Sequence, residues 1–347
     1  MECGIVGFQA VGKTTLFKAL TAHAIEVQAG SMAPNVGQAE IPDPRLDQIA
    51  GVITTRKIIP AKVQLVDIPG VPSGGGASHG SILANIRNVD ALCHVVNCFD
   101  GVTDARSACQ DLLTELALSD LVLVESSLDK ATRAARGGDK EAAARRDVLE
   151  RCKGVLEDEK PLRSATWNEQ EQAILRSYGM LSSKPQLVVA NISETDIERT
   201  DQVATELSEF IADQDELIVL CAELESQIAE LPPDDRDEML SSMGLQEPAI
   251  GPLARAINTL LGLGAFYTAG EKEVRSWIIR QGSSAPEAAG SVHSDIERGF
   301  IRAECYHVDE LLELGSEKAI KSAGKLRSEG KQYIMQDGDV VHFLFNV

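Results

Sequence analysis

The chain has 347 residues, 44% of them apolar and only 4% aromatic, with a formal net charge of −20. That length allows two or three domains; the apolar fraction excludes global disorder, and no run approaches the ~18 uncharged apolar residues of a membrane span. Met1-Glu2-Cys3 lacks the basic and apolar regions of a signal peptide, and seven cysteines without C-x-x-C spacing fit a reduced, cytoplasmic protein rather than a disulfide framework or a zinc site.

In chain order, five short apolar runs read as strands: 4–6, 63–66, 91–96, 187–190 and 217–220. Continuous apolar runs suit central strands covered on both faces. Helical patterns such as 14–24 lie between them, the alternation of a doubly wound α/β sheet. Nearly ninety residues separate the third run from the fourth, and leucines recur there at three- and four-residue steps. Residues 101–182 are therefore expected to form a helical, coiled-coil-like hairpin inserted into a domain made of 1–100 and 183–263. Residues 264–347 read as a small α+β module, with strands over 274–279 and 340–345 and a helix over 318–327.

The first run is followed by Gly7-Phe8-Gln9-Ala10-Val11-Gly12-Lys13-Thr14, a complete G-x-x-x-x-G-K-[ST] phosphate loop between a strand and an amphipathic helix. Its glycines let backbone N–H groups, together with the helix N-terminus, face phosphate oxygens. Gly7, Gln9, Ala10, Val11, Gly12, Lys13, Thr14 and Thr15 are thus expected nucleotide contacts, with Lys13 on the β- and γ-phosphates and the Thr14 hydroxyl on Mg²⁺.

The second run leads into Asp67-Ile68-Pro69-Gly70, where Asp67 can hold Mg²⁺ through water and Gly70 can present its N–H to the γ-phosphate. Val71 stands where GTPases that orient their water with a Gln carry it. The fourth run leads into Asn191-Ile192-Ser193-Glu194 in place of the guanine-reading N-K-x-D. Ile192 and Glu194 lower the expected preference for GTP. The fifth leads into Cys221-Ala222, expected to bring a backbone N–H to the base. All four motifs fall at the carboxyl ends of strands, where open α/β sheets bind ligands.

These motifs, with the stretches 3–17, 41–47, 83–87, 266–270, 273–275, 299–304 and 336–347, resemble the YchF/Obg-like ATPase family over almost the whole chain. The resemblance implies a P-loop G domain, a helical insertion and a C-terminal ubiquitin-like TGS domain. It also implies ATP bound and hydrolysed in preference to GTP, and ribosome association in translation or stress responses. Both switch segments are shorter than the family's; Ser31 is the nearest candidate for the Mg²⁺-binding threonine of the first. Nucleotide binding is better supported than turnover, and no catalytic residue is assigned. Slow ATP hydrolysis, a scaffold with degenerate switches and a genuine GTPase remain three readings of the same motifs.

Charge is unevenly spread. Residues 194–238 hold sixteen acidic residues against two basic ones, while 130–153 hold eight basic against four acidic and 318–331 five against one. The two basic stretches are candidate surfaces for ribosomal or other structured RNA, through Arg133, Arg136, Lys140, Arg145 and Arg146 and through Lys318, Lys321, Lys325, Arg327 and Lys331. Neither sequence-specific DNA binding nor a membrane partner is expected.

Overall fold

The computed structural model describes residues 1–27, 33–72, 79–101, 104–212 and 214–346. They divide into two compact units, 1–37 with 64–250 and 38–63 with 251–347.

Among the described residues, seven strands precede residue 221: β1 (Glu2–Val6), β2 (Asn35–Glu40), β3 (Ile58–Ile59), β4 (Lys62–Asp67), β5 (Ala91–Asn97), β6 (Gln186–Asn191) and β7 (Glu216–Leu220). Six of them form one sheet in the order β2-β4-β1-β5-β6-β7, and the pairings of β1 with β4 and β5, β5 with β6, and β6 with β7 are parallel. Every position of β5 and β6 is buried, as central strands covered on both faces require. The strand order switches direction at β1, so the crevice beyond its carboxyl end is where a ligand fits such a sheet.

Helix α1 (Lys13–Leu20) is shorter than the expected 14–24, because the chain turns off at Ala22 and His23, both at positive φ. Next come α2 (Pro44–Val52), α3 (His79–Asn88), α4 (Ala105–Arg136) and α5 (Lys140–Glu157). Helices α4 and α5 form the expected hairpin around Gly137-Gly138, and Asp139 starts α5 by accepting from Glu141 and Ala142 N–H. Its seam of Val124, Ala131, Leu149, Cys152 and Leu156 closes on Trp167. Two polar ties order the insertion, one between its own ends and one to the chain before β7. Asp120, fully buried on α4, accepts from Leu181 N–H at 2.8 Å and from Ser182 N–H and hydroxyl at 2.7 Å. Arg163 grips Asp215 with two bonds of 2.9 and 2.6 Å.

The second unit is a mixed sheet of β3 with β8 (Leu263–Ala269), β9 (Val274–Arg280), β10 (Phe300–His307), β11 (Arg327–Glu329) and β12 (Asp339–Phe345). Their order is β11-β10-β12-β8-β9-β3, with β12 parallel to β8 and the β8–β9 and β10–β12 pairs antiparallel. A helix over Ala285–Val292 packs with Phe266, Phe300 and Phe343, the sheet-and-helix arrangement expected of a ubiquitin-like module. Leu46 and Ile49 of α2 join a separate cluster with Tyr267 and Val340.

Two expectations are revised here. Segment 38–63 packs with the C-terminal unit rather than with the first domain. Asp43 caps α2, Arg45 bridges Asp43 and Asp337 at 2.9 and 2.6 Å, and the Tyr267 hydroxyl donates to Asp43. The helix expected over 318–327 is only Glu317–Ser322; Gly324 lies in the left-handed region at φ +69° and Arg327 opens β11.

Candidate nucleotide site

Beyond β1 the phosphate loop bends through Gly7 and Ala10 at positive φ and reaches Gly12 at φ +92°. A side chain at Gly12 could not be accommodated: its Cβ would lie 2.2 Å from Asn191 Nδ2. The loop is therefore closed against β6, and Asn191 is what closes it. Its Nδ2 donates to Val11 O at 3.0 Å, and its Oδ1 accepts from Ala222 N–H at 2.9 Å. One buried side chain thus ties together the phosphate loop, the end of β6 and the loop after β7.

The result is a cleft of about 560 Å³ lined by Ala10, Gly12, Lys13, Thr14, Thr15, Phe99, Asn191, Ile192, Ser193, Glu194, Cys221, Ala222 and Glu223. Three separate motifs read from the sequence converge there. Glu194 stands exposed at the first position of a short 3₁₀ helix, with no hydrogen-bond or ion-pair partner among the described residues. The Ile192 side chain turns away into a core with Cys221, Leu224 and Ile228, and its N–H donates to Leu220 O. Ala222 differs from expectation: its N–H is engaged by Asn191 and is not free for a base. Phe99 went unnoticed in the sequence; it follows β5 and puts an aromatic face on the cleft.

At the phosphate end Lys13 is 6% exposed and its ammonium donates to Phe8 O at 2.5 Å. Burial brings its pKa down to about 8, only partly offset by Asp67. Asp67, at the end of β4, accepts from the Thr14 hydroxyl at 3.0 Å and from Asn35 Nδ2 at 3.1 Å. Burial still holds its carboxyl above the ordinary range, so neither charge is fully compensated by the other. The Thr14 hydroxyl and Asp67 carboxylate bring hard oxygen donors together, the donor type Mg²⁺ takes. Asn35 was not anticipated as a partner of Asp67. Ser31 lies outside the described residues.

Gly70 presses on the loop: a Cβ there would lie 2.7 Å from Gln9 Cα and 2.9 Å from Lys13 Nζ. Gln9 and Val11 line a second cavity of about 460 Å³ next to the loop, and Gly7 is buried beneath it. His79 opens α3 half-buried, with Nε2 3.3 Å from Glu115.

The basic stretches are partly neutralised. Arg145 lies near Asp139 and Glu141, and Arg146 pairs with Asp147 and Glu150; Arg133, Arg136 and Lys140 at the hairpin turn are exposed without an ion pair among the described residues. In the second unit Lys325 pairs with Glu310 and Arg327 with buried Asp339, leaving Lys318, Lys321 and Lys331 exposed and unpaired among the described residues. Lys325 is beyond the helix and does not extend the face of Lys318 and Lys321.

Comparison with known proteins gives a consistent picture. Residues 2–126 match a family model described as 50S ribosome-binding GTPase, and residues 263–346 match the YchF-GTPase C-terminal model, described as a protein of unknown function. The chain is 39% identical to a ribosome-binding ATPase YchF of Bacillus subtilis over 100% of both chains. It is 33% identical to the Obg-like ATPase 1 of rice over 100% of this chain and 92% of the relative. A solved YchF GTPase of Schizosaccharomyces pombe superposes with a TM-score of 0.88 at 27% identity, covering 99% of this chain and 97% of the other.

Proposed function

The chain belongs to the YchF/Obg-like ATPase family, and on that premise we propose that it is an ATP-binding, slowly ATP-hydrolysing switch that associates with ribosomes. The observation that carries this reading is the single cleft in which the phosphate loop, the N-x-x-E segment and the Cys221-Ala222 loop meet. Lys13 leaves the Phe8 carbonyl to meet the β- and γ-phosphates, and Gly70 offers its N–H to the γ-phosphate. Glu194, a carboxylate free at the mouth of the cleft, accepts from the exocyclic amine of adenine. Asn191 acts on the base end as the tie that positions its neighbours. Thr14 and Asp67 are the residues that would hold Mg²⁺, which when bound neutralises charge on the β- and γ-phosphates. GTP is the weaker ligand because Glu194 and Ile192 replace the side chains that read guanine.

The nucleotide domain, the helical insertion and the C-terminal module divide the work. The cations of the hairpin turn and of Lys318, Lys321 and Lys331, without an ion pair among the described residues, are the RNA-facing groups, in the cytoplasm where ribosomes are. Phosphate contacts of this kind weaken steeply with salt. The scaffold reading is kept by one observation: Val71 is buried and cannot orient a water. Incubating the purified chain with Mg²⁺ and labelled ATP or GTP separates the readings. ATP turnover supports the proposal, binding without turnover supports a scaffold, and tighter GTP binding rejects the assignment of the base.

A further inference from the structure

Val71 is fixed. Its side chain packs with Ile82, Leu83 and Ile86, and its N–H donates to Gly7 O at 3.1 Å, so the chain after Gly70 runs beside the phosphate loop. This pairing brings Gly70 against Gln9. A Cβ on Gly70 would stand 2.8 Å from Gln9 N and 2.9 Å from Lys13 Nζ. The Gln9 backbone therefore lies against Gly70 and close to the Lys13 ammonium, the two groups assigned above to the γ-phosphate. The Gln9 side chain is exposed, and its carboxamide takes no hydrogen bond from any described residue. Gln9 lines the second cavity together with Asn97, Asp104, Ser107, Asp111 and Glu115, a polar space large enough for several waters.

We propose that Gln9 is a catalytic residue that orients the attacking water from the phosphate loop itself, taking over in cis the task that Val71 cannot perform. A carboxamide both donates and accepts, so it can hold a water by a lone pair and a proton at once. The step forms a bond between the water oxygen and the γ-phosphorus while the bond to the β–γ bridging oxygen breaks. That electron pair leaves with ADP, and the water proton ends on the released phosphate. Gln9 exchanges no proton. The inference rests on the ATP hydrolysis proposed above.

The test is single-turnover hydrolysis of γ-labelled ATP with Mg²⁺ by the full chain, set beside equilibrium ATP affinity, for wild type, Gln9→Ala and Gln9→Met. Both variants should lose roughly a hundred- to a thousandfold in rate, the scale of one positioned hydrogen-bonding group, with affinity within about twofold. Retained affinity also reports a folded site. Wild-type turnover with both variants unchanged makes Gln9 a bystander and overturns the inference alone. A faster Gln9→Ala shows the side chain to be an obstruction, which also overturns it. A wild type that binds ATP without hydrolysing it removes the inference together with the reading beneath it.

Discussion

At the base end of the cleft, Asn191 joins Val11 and Ala222 through bonds made entirely within the protein. At the phosphate end, Lys13 rests on a carbonyl of its own loop, and the buried Asp67 is shared between Thr14 and Asn35. The first arrangement is complete without a ligand. The second rests polar groups on a loop carbonyl and on one shared carboxylate, with a lysine charge that burial disfavours. The difference teaches how a preformed pocket coexists with a responsive one: rigidity lies at the end proposed to read the base, and electrostatic tension at the end proposed to receive phosphate.

Four measurements test this contrast, beginning with the largest effect. Lys13→Ala should reduce ATP affinity by a hundredfold or more, since a charge-assisted contact worth about 1.5–3 kcal/mol per hydrogen bond is lost at more than one oxygen. Isothermal titration giving wild-type affinity would place the phosphates elsewhere.

The pH dependence of the nucleotide-free protein comes next. With the Lys13 pKa lowered to about 8 from 10.5, the unfolded chain binds more protons between those values, so stability rises with pH across that window. The rise attributable to Lys13 is about 3 kcal/mol in urea titrations, and Lys13→Met should flatten it. ATP affinity should move the opposite way above pH 8, as the ammonium that meets phosphate is lost. Parallel trends would break the contrast.

Asn191→Ala removes the preformed tie and leaves Val11 O and Ala222 N–H without their partner, a loss of about 2–3 kcal/mol of stability. Denaturant midpoints check it; an unchanged midpoint would mean the base end is not held as described. The smallest effect belongs to Phe99→Ala, about 1 kcal/mol of ATP affinity if the ring stacks on the base, with no change for inorganic triphosphate. Equal losses for both ligands would remove Phe99 from the base end.

Much of the site was legible because strand ends concentrate it. The runs before Gly7, Asp67, Asn191 and Cys221 are apolar and contiguous, and a buried parallel strand leaves that imprint. Residues whose role depends on a distant partner leave none. Asp120 stands in a helical pattern where an acid reads as solvent-facing, yet its partners are Leu181 and Ser182. Segment 38–63 belongs to the second unit through the pairing of β3 with β9 and of Arg45 with Asp337, neither of which has a local signature. The helix expected over 318–327 ends at Ser322, and the signal for that end is local: Gly324, a residue suited to stopping a helix.

Asp120 also bears on the order in which the chain assembles. Leu92 pairs with Gln186, so β5 and β6 must close a loop of more than ninety residues. The entropic cost of closure grows with the length of flexible chain. A hairpin that folds on its local contacts, with Asp120 holding Leu181 and Ser182 beside α4, shortens that flexible length and brings β6 to β5. The insertion is then a kinetic staple for the domain that contains it. Pulsed hydrogen exchange during refolding should show α4 and α5 amides protected before those of β6 and β7; simultaneous protection would refute the sequence of events.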